Sequence, residues 1–287
     1  MNNYIIFTDS GCDIRENLLK EWGVPCFQLT FKFDGEDKEL TENDMNINDF
    51  YTCMKNGKVA KTAAINPDTF KTSFEETLKE GKDILYLSFS SGLSTTFNSS
   101  RIAAEELKEE YPERKIICVD TLCASAGQGL LLHLALQKKN EGASIEEVAQ
   151  YVEDNKLNLC HWFTVDDLVY LKRGGRVSPT VAFVGSVLGI KPVLHVDNEG
   201  HLISKAKVRG RKNALSTLLS KYEELALEKN GIVFISSADC KEDTDYMEKQ
   251  FTEKYGAKVE LITDIGPVIG AHAGPGTMAI FFLGKER

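Results

Sequence analysis

A stretch rich in hydroxyl groups, residues 85–100 with the sequence LYLSFSSGLSTTFNSS, is well equipped to bind an anion. It contains eight serine and threonine side chains, and no charged residue occurs from Ile84 to Ser100. The pattern predicts a buried strand that leads into the start of a helix, where backbone N–H groups favour negative charge. A phosphate dianion would usually attract a lysine or arginine as well, whereas hydroxyls and amides alone can hold a carboxylate. Taken alone, the pattern is more often that of an ordinary capped helix start.

Two further segments offer polar groups to a binding site. Residues Lys61–Pro67 lead into a helix, with Asn66 as the predicted N-cap and proline at the first helical position. Residues Ile269–Gly276 form a glycine-rich loop with one histidine, His272, and glycines of this kind indicate a close approach of the backbone to another group. Each segment also has a plain structural interpretation, a helix cap for the first and a structural histidine for the second.

A cluster of positive charge occurs in this acidic protein. Lys172, Arg173 and Arg176 lie within five residues, although the chain carries a net charge of -9. One interpretation is a helix boundary, with glycine ending one helix and Ser178-Pro179 beginning the next. A docking surface or a phosphate-facing patch explains the charges equally well. The apolar segment Val181–Ile190 that follows either belongs to the core or lines a narrow apolar slot.

Composition argues against several classes of protein. The chain has 287 residues, 42% of them apolar and 27% charged, which is ordinary for a globular protein of two domains. Its net charge of -9 argues against binding to nucleic acid or to an anionic membrane surface. The longest apolar stretch, Thr180–Ile190, is too short to span a bilayer, and the first residues lack the pattern of a signal peptide.

Local motifs for metal and cofactor chemistry are missing. The seven cysteines are scattered without a C-x-x-C pair, which indicates reduced thiols in a cytoplasm. The sequence has no P-loop, no dinucleotide fingerprint after its first strand, no H-x-x-x-H pair and no G-x-S-x-G elbow. We therefore predict neither a metal nor a cofactor.

The polar segments need a scaffold that positions them. Alternation of strands and helices through residue 155 predicts a parallel α/β sheet, with strands at Tyr4–Phe7, Asp83–Leu87 and Lys115–Val119. Ligands of such sheets bind beyond the carboxyl ends of the strands. The polar turns that follow these three strands are therefore expected at one edge of the sheet.

The second half of the chain shows a different pattern. Val193–Val196 and Leu202–Val208 flank a turn signal and predict a hairpin, and further strands are predicted at 163–165, 232–236 and 258–263. We predict a two-domain α/β protein, with an N-terminal α/β domain at residues 1–156 and a C-terminal α+β domain at residues 157–287. A small β-containing insertion is expected at about residues 25–60, and the ligand in the cleft between the domains.

Taken together, these segments resemble the DegV family, bacterial fatty-acid-binding proteins that serve as the lipid-carrying subunit of fatty acid kinase. The resemblance covers nearly the whole chain. It rests on the order and spacing of Thr8-Asp9-Ser10, Ser90–Ser94, Val165–Leu168 with Leu171–Arg176, Ile190-Lys191-Pro192, and Gly270–Gly276. It implies a long-chain fatty acid buried between two domains, and a separate ATP-binding kinase subunit that phosphorylates its carboxylate to an acyl phosphate.

The resemblance also implies roles for individual residues. The fatty acid carboxylate would be held by Thr62, Ser94 and His272. The supporting head-group loops would contain Thr95, Thr96, Gly270 and Gly274. We assign the acyl tunnel to Phe183, Val184, Val187, Leu188 and Ile190. Docking of the kinase is assigned to Arg173, Arg176 and Arg209, and the chain is expected to have no complete active site of its own.

The sequence departs from the family pattern at two places. The family usually has Thr-Ser-Gln-Pro-Ser where this chain has Thr62–Pro67, and Leu-Ser-Gly-Thr where it has Leu93–Thr96. The threonine and the serine that hold the carboxylate are retained. Two other functions stay open at this point: a stand-alone hydrolase or transferase with Ser94 as its nucleophile, and a regulatory lipid sensor or binding protein for another apolar acid.

Overall fold

Buried apolar runs in the first half form a parallel sheet. The structure, a computed structural model of the chain, describes residues 3–177 and 189–287. The sheet has the order β2-β1-β5-β6, with every pair parallel. Its strands are β1 (Tyr4–Asp9), β2 (Cys26–Phe27), β5 (Asp83–Ser88) and β6 (Ile116–Asp120). Parallel sheets are covered on both faces, which explains why these strands are continuous apolar runs.

Helices cover both faces of this sheet. They are α1 (Glu16–Glu21), α3 (Pro67–Lys79), α4 (Thr96–Glu110), α5 (Ala126–Asn140) and α6 (Ile145–Asn155). Ile84 and Tyr86 of β5 pack with α3 and α4, whereas Leu85 and Leu87 pack with α5 and α6. The predicted caps are confirmed, because Asn66 accepts the N–H of Thr69 and Ser144 forms a capping box.

The second half forms a mixed sheet of six strands in the order β11-β10-β12-β7-β8-β9. Its strands are β7 (Leu159–Thr164), β8 (Ile190–Val196), β9 (Leu202–Arg209), β10 (Ile232–Ser237), β11 (Lys258–Asp264) and β12 (Met278–Leu283). The predicted hairpin is β8–β9. Strand β7 begins four residues earlier than predicted, because Leu159–Thr164 is buried throughout and shows no alternation. The helices are α7 (Val169–Arg173), α8 (Arg211–Leu225), α9 (Lys241–Lys249) and α10 (Pro267–Ala273).

The predicted insertion contains a two-stranded sheet and a helix. These are β3 (Thr30–Phe33), β4 (Ala60–Ala63) and α2 (Ile47–Lys55). They pack against the second half of the chain, since Phe50 and Tyr51 share a buried cluster with Ile265 and Ala271. The Tyr51 hydroxyl donates to Ile265 O at 2.7 Å. This contact holds α2 beside the residues that lead into α10.

Helix α5 packs against both sheets. Its buried Leu130 and Leu131 belong to a cluster that also contains Tyr4 of β1 and Phe281 of β12. The two halves therefore share a core, and the division at residue 156 stays a prediction. Within the described residues, none of the helices is both long enough and apolar enough to cross a membrane.

Candidate functional site

A cavity of about 450 Å³ is lined by residues from both halves of the chain. This volume lies in the range of small-molecule sites, which is about 300–1,000 Å³. Its apolar wall includes Phe89, Leu93, Phe163, Val196, Leu202, Ile265, Val268, Ile269 and Phe281. Its polar groups include Thr62, Ser91, Ser94, Thr95, Ser125, His161, Arg176 and His272. The cavity joins the hydroxyl-rich loop, the start of the Lys61–Pro67 segment and the segment Ile269–Gly276. The prediction of a glycine-rich loop for this last segment is wrong, because residues 269–273, His272 among them, belong to helix α10.

The predicted acyl tunnel is only partly described. Phe183, Val184, Val187 and Leu188 lie outside the described residues. Ile190 pairs with Arg209 at the open end of the β8–β9 hairpin and is not among the described residues that line the cavity. Within the described residues the apolar wall comes from the hydroxyl-rich loop, the β8–β9 hairpin, β7, α10 and β12, whose side chains are far apart in the sequence.

Thr62 and His272 form the central polar contact of the cavity. Thr62 Oγ1 lies 2.8 Å from His272 Nε2, although 210 positions separate the two residues. Burial lowers the pKa of His272 to about 4, and the charge of Arg176 acts in the same direction. The imidazole is therefore neutral at pH 7.

The surroundings of His272 determine which ring nitrogen carries the proton. His272 Nδ1 is buried and has no hydrogen-bond partner among the described residues. A buried N–H without an acceptor is costly, so we place the proton on Nε2, where it is donated to Thr62 Oγ1. The Thr62 hydroxyl proton is then free to be donated to a bound anion.

The hydroxyl-rich loop places a second group in the cavity wall. Ser94 Oγ lies 2.9 Å from Thr96 Oγ1 and accepts the Thr96 N–H at 3.3 Å. Thr96 is fully buried at the start of α4, whereas Thr95 is exposed and lines the cavity. Thr96 therefore positions Ser94. Ser94 pairs with Thr96 and His272 pairs with Thr62, so these contacts do not form the serine–histidine pair that activates a nucleophile.

The glycines around His272 permit close packing of helices. A Cβ atom added to Gly174 would overlap His272, and one added to Gly274 would overlap the ring of Tyr170. A Cβ atom on Gly270 would lie 2.5 Å from Tyr51 Oη. These glycines thus let α2 and the α7 region approach α10, and the packing fixes the histidine.

Arg176 lies at the cavity, apart from the other two predicted docking residues. Its Nε and Nη2 donate to Leu93 O at 3.2 and 3.0 Å, which ties the basic loop to the hydroxyl-rich loop. Burial lowers the pKa of its guanidinium. Arg173 is exposed over the ring of Tyr170, and Arg209 is exposed on β9. No residue from Ile84 to Ser100 is charged, but the fold brings the Arg176 guanidinium into contact with Leu93 in this stretch.

The Thr8-Asp9-Ser10 motif forms hydrogen bonds to residues of the cavity wall. The buried Asp9 carboxyl accepts the N–H of Phe89 at 2.9 Å and the hydroxyl of Tyr86 at 2.5 Å, and burial raises the pKa of Asp9. Ser10 Oγ accepts the N–H of Leu29 at 3.0 Å. Phe89 and Leu29 both line the cavity, so the motif positions two of its apolar walls.

Metal-ligating side chains come together in the exposed hairpin turn. Among the described residues, Asp197, Glu199 and His201 are the group close enough to share an ion. Asp197 Oδ1 already accepts the backbone N–H groups of Glu199 and His201, as in an ordinary Asx turn. None of the three lines the cavity.

Comparisons with known proteins agree with this architecture. A protein of Clostridium perfringens described as DegV domain-containing is 44% identical over 289 residues, covering 100% of this chain and 99% of the relative. The crystal structure of a DegV lipid binding protein from Thermotoga maritima is 29% identical, with a TM-score of 0.85 and 99% of each chain covered. A structure described as fatty acid binding of a DegV family protein from Thermus thermophilus is 28% identical, with a TM-score of 0.87 and coverage of 97% and 98%.

The family assignment does not depend on one relative. The model of the DegV family, described as a family of uncharacterised proteins, matches residues 3–285. The chain covers almost the full length of the relatives above. The predicted resemblance is confirmed, and the chain belongs to the DegV family.

Proposed function

We propose that this protein binds a long-chain fatty acid in the cavity, with the carboxylate held by Thr62 and Ser94. The proposal rests on the Thr62–His272 contact at the wall of an apolar cavity. Because the neutral histidine donates to Thr62 Oγ1, the Thr62 hydroxyl proton is left to be donated to a carboxylate. The descriptions of the Thermotoga maritima and Thermus thermophilus proteins as lipid- and fatty-acid-binding support the same ligand class.

The apolar wall supplies the affinity in this proposal. Each buried CH₂ group contributes about 0.8 kcal/mol, so a C16 chain contributes roughly 10 kcal/mol before the costs of association and ordering are subtracted. A hydroxyl that donates to a charged acceptor contributes about 1.5–3 kcal/mol. The hydroxyls therefore set mainly the orientation of the carboxylate.

A second part of the proposal concerns the fate of the carboxylate. A separate ATP-dependent kinase subunit would phosphorylate it: a carboxylate oxygen attacks the γ-phosphorus of ATP, ADP leaves, and an acyl phosphate forms. The resemblance described above supports this role. Hydroxyl donors hold the carboxyl group in its ionised form, which is the form that attacks phosphorus, and the exposed Arg173 and Arg209 offer positive charge to a partner. We assign the chain no catalytic residue of its own.

The unpaired cysteines support a cytoplasmic site of action. All seven cysteines are free thiols, and five of them have pKa values that burial helps to raise, among them Cys118, whose pKa rises to about 11. Free thiols are typical of a reducing compartment.

The ligand carried through purification tests the proposal. The full chain, made in a bacterium and purified without added lipid, is denatured and extracted, and the extract is analysed by mass spectrometry. We expect long-chain fatty acid at close to one molecule per chain. An empty protein that also fails to bind added C14–C18 acids would refute the proposal, and hydrolysis of activated esters by wild type but not by Ser94→Ala would favour the hydrolase instead.

A further inference from the structure

A buried hydroxyl lies in the cavity wall at a place that the carboxylate site does not use. Ser125 lines the cavity and is 6% exposed. It stands between β6 and α5 with a φ of 54°, a left-handed conformation that a non-glycine residue keeps only when its surroundings impose it. Its N–H donates to Gly11 O at 2.8 Å, which fixes this backbone. The fold thus holds the Ser125 side chain on the cavity.

Ser125 Oγ is the middle member of a buried chain of three oxygens. It makes a short hydrogen bond with Asp13 Oδ2 and lies 2.9 Å from Ser236 Oγ. The other carboxyl oxygen, Asp13 Oδ1, accepts the N–H of Gly266 at 2.9 Å. Burial raises the pKa of Asp13 well above its usual range.

Ser125 Oγ keeps hydrogen-bonding capacity beyond its contacts with Asp13 and Ser236. A hydroxyl group has one donor and two acceptor positions, and these two contacts use two of the three. One position therefore remains, whichever of the three groups donates in each contact. Because Ser125 lines the cavity, that position can serve a ligand hydroxyl, which both donates and accepts.

An acceptor belongs to the same cavity wall. His161 Nδ1 lies 3.0 Å from Leu159 O, so it carries the ring proton. Burial lowers the pKa of His161 well below its usual range and leaves Nε2 as an acceptor, whose contact with the N–H of Ala124 is long at 3.4 Å. Ser125 and His161 are thus polar groups in a wall that is otherwise built largely from apolar side chains.

We propose that Ser125 recognises an oxygen carried along the acyl chain, so that the preferred ligand is a hydroxylated long-chain fatty acid. The inference rests on the proposed function, because the Thr62–Ser94 site sets the depth of each chain position. A ligand hydroxyl opposite Ser125 loses its hydrogen bonds to water and gains one to Ser125. A hydroxyl elsewhere along the apolar wall loses its water without replacement.

A positional scan tests this inference on the full chain. Affinities are measured for stearic acid and for its monohydroxy isomers with the hydroxyl at positions 6 to 14, by displacement of a fluorescent fatty acid. We expect one position, or two adjacent ones, to bind roughly tenfold or more tightly than the other isomers, and at least as tightly as stearic acid. Ser125→Ala keeps the Cβ atom and the stearic acid affinity but abolishes the preference.

Ser236→Ala is the matched control, because it removes a hydroxyl from the same buried chain and leaves the one on the cavity. It should retain the positional preference. Equal affinity for all isomers in the wild type, or a preference that persists in Ser125→Ala, overturns the inference while stearic acid binding still supports the proposed function. If Ser125→Ala fails to fold, the wild-type scan decides, since a flat profile refutes the subsite and a single peak upholds it. Failure to bind stearic acid and every isomer would instead refute the proposed function.

Discussion

Replacement of Thr62 by valine isolates the contribution of one hydroxyl to carboxylate binding. Thr62→Val preserves the shape of the side chain and removes the Oγ1 atom that lies 2.8 Å from His272 Nε2. The lost hydrogen bond to a charged acceptor is worth about 1.5–3 kcal/mol, which corresponds to a roughly 10- to 150-fold weaker affinity for palmitic acid. The variant also leaves the His272 Nε2–H without an acceptor in both free and bound protein, so this cost largely cancels.

A ligand without a carboxylate makes the assay specific. Hexadecanol has the same chain as palmitic acid, so Thr62→Val should reduce its affinity much less, and the difference between the two ligands measures the head-group interaction. Dissociation constants from calorimetry or fluorescent displacement give this difference. Thr72→Val, the same substitution at an exposed position of α3, is the matched control and should leave both affinities unchanged. Equal losses for acid and alcohol would show that Thr62 shapes the cavity rather than contacts the carboxylate.

Four further predictions concern the histidine and the arginines around the site. The pKa of His272 is lowered to about 4 in the folded protein, so as the pH falls below the ordinary value of 6.5 the unfolded chain binds this proton before the folded protein does. His272→Gln should therefore flatten the loss of thermal stability between pH 6.5 and 4. An unchanged stability profile would place the histidine in solvent. The same variant should impair acyl phosphate formation more than fatty acid binding. Arg173→Glu and Arg209→Glu should leave the fatty acid affinity unchanged but slow turnover with a cognate kinase and flatten the salt dependence of that turnover, because exposed charges act mainly on the association rate. Wild-type turnover in both variants would reject these two arginines as docking residues for the kinase. Arg176→Gln, by contrast, should weaken fatty acid binding without a kinase present, since it releases Leu93 O beside Ser94, and an affinity equal to wild type would show that this clamp is dispensable.

Local sequence patterns predicted the elements of the fold but not all of their partners. Buried runs such as Asp83–Ser88 and caps such as Ser144 carry their own signal, because burial on both faces and capping act over a few residues. The Thr62–His272 contact was predicted only through the family resemblance, since no local pattern relates residues 210 positions apart. The packing of Phe50 and Tyr51 against α10 likewise depends on tertiary structure.

The site residues that the sequence did not reveal are those whose roles depend on backbone geometry or on distant neighbours. In sequence Arg176 resembles the two exposed arginines because all three are basic, whereas in the fold its guanidinium donates to Gly174 O and Leu93 O and so lies at the cavity. Ser125 lies in a stretch of small residues, Ala124-Ser125-Ala126-Gly127, directly before a helix. A small-residue turn between a strand and a helix was the available signal, but the positive φ and the buried partner Asp13 appear only in three dimensions.

The ionisation of the bound carboxyl group reports whether Thr62 donates to it. Palmitic acid labelled with ¹³C at the carboxyl carbon is bound to the wild-type protein and to Thr62→Val, and the carboxyl resonance is followed by NMR from pH 8 down to the limit of folding. Hydroxyl donors and the nearby Arg176 stabilise the ionised form, so we expect a midpoint below that of an ordinary carboxyl group in the wild type and a higher midpoint in the variant. A carboxyl group that titrates identically in both proteins, with the midpoint of an exposed acid, would show that Thr62 does not bind the carboxylate.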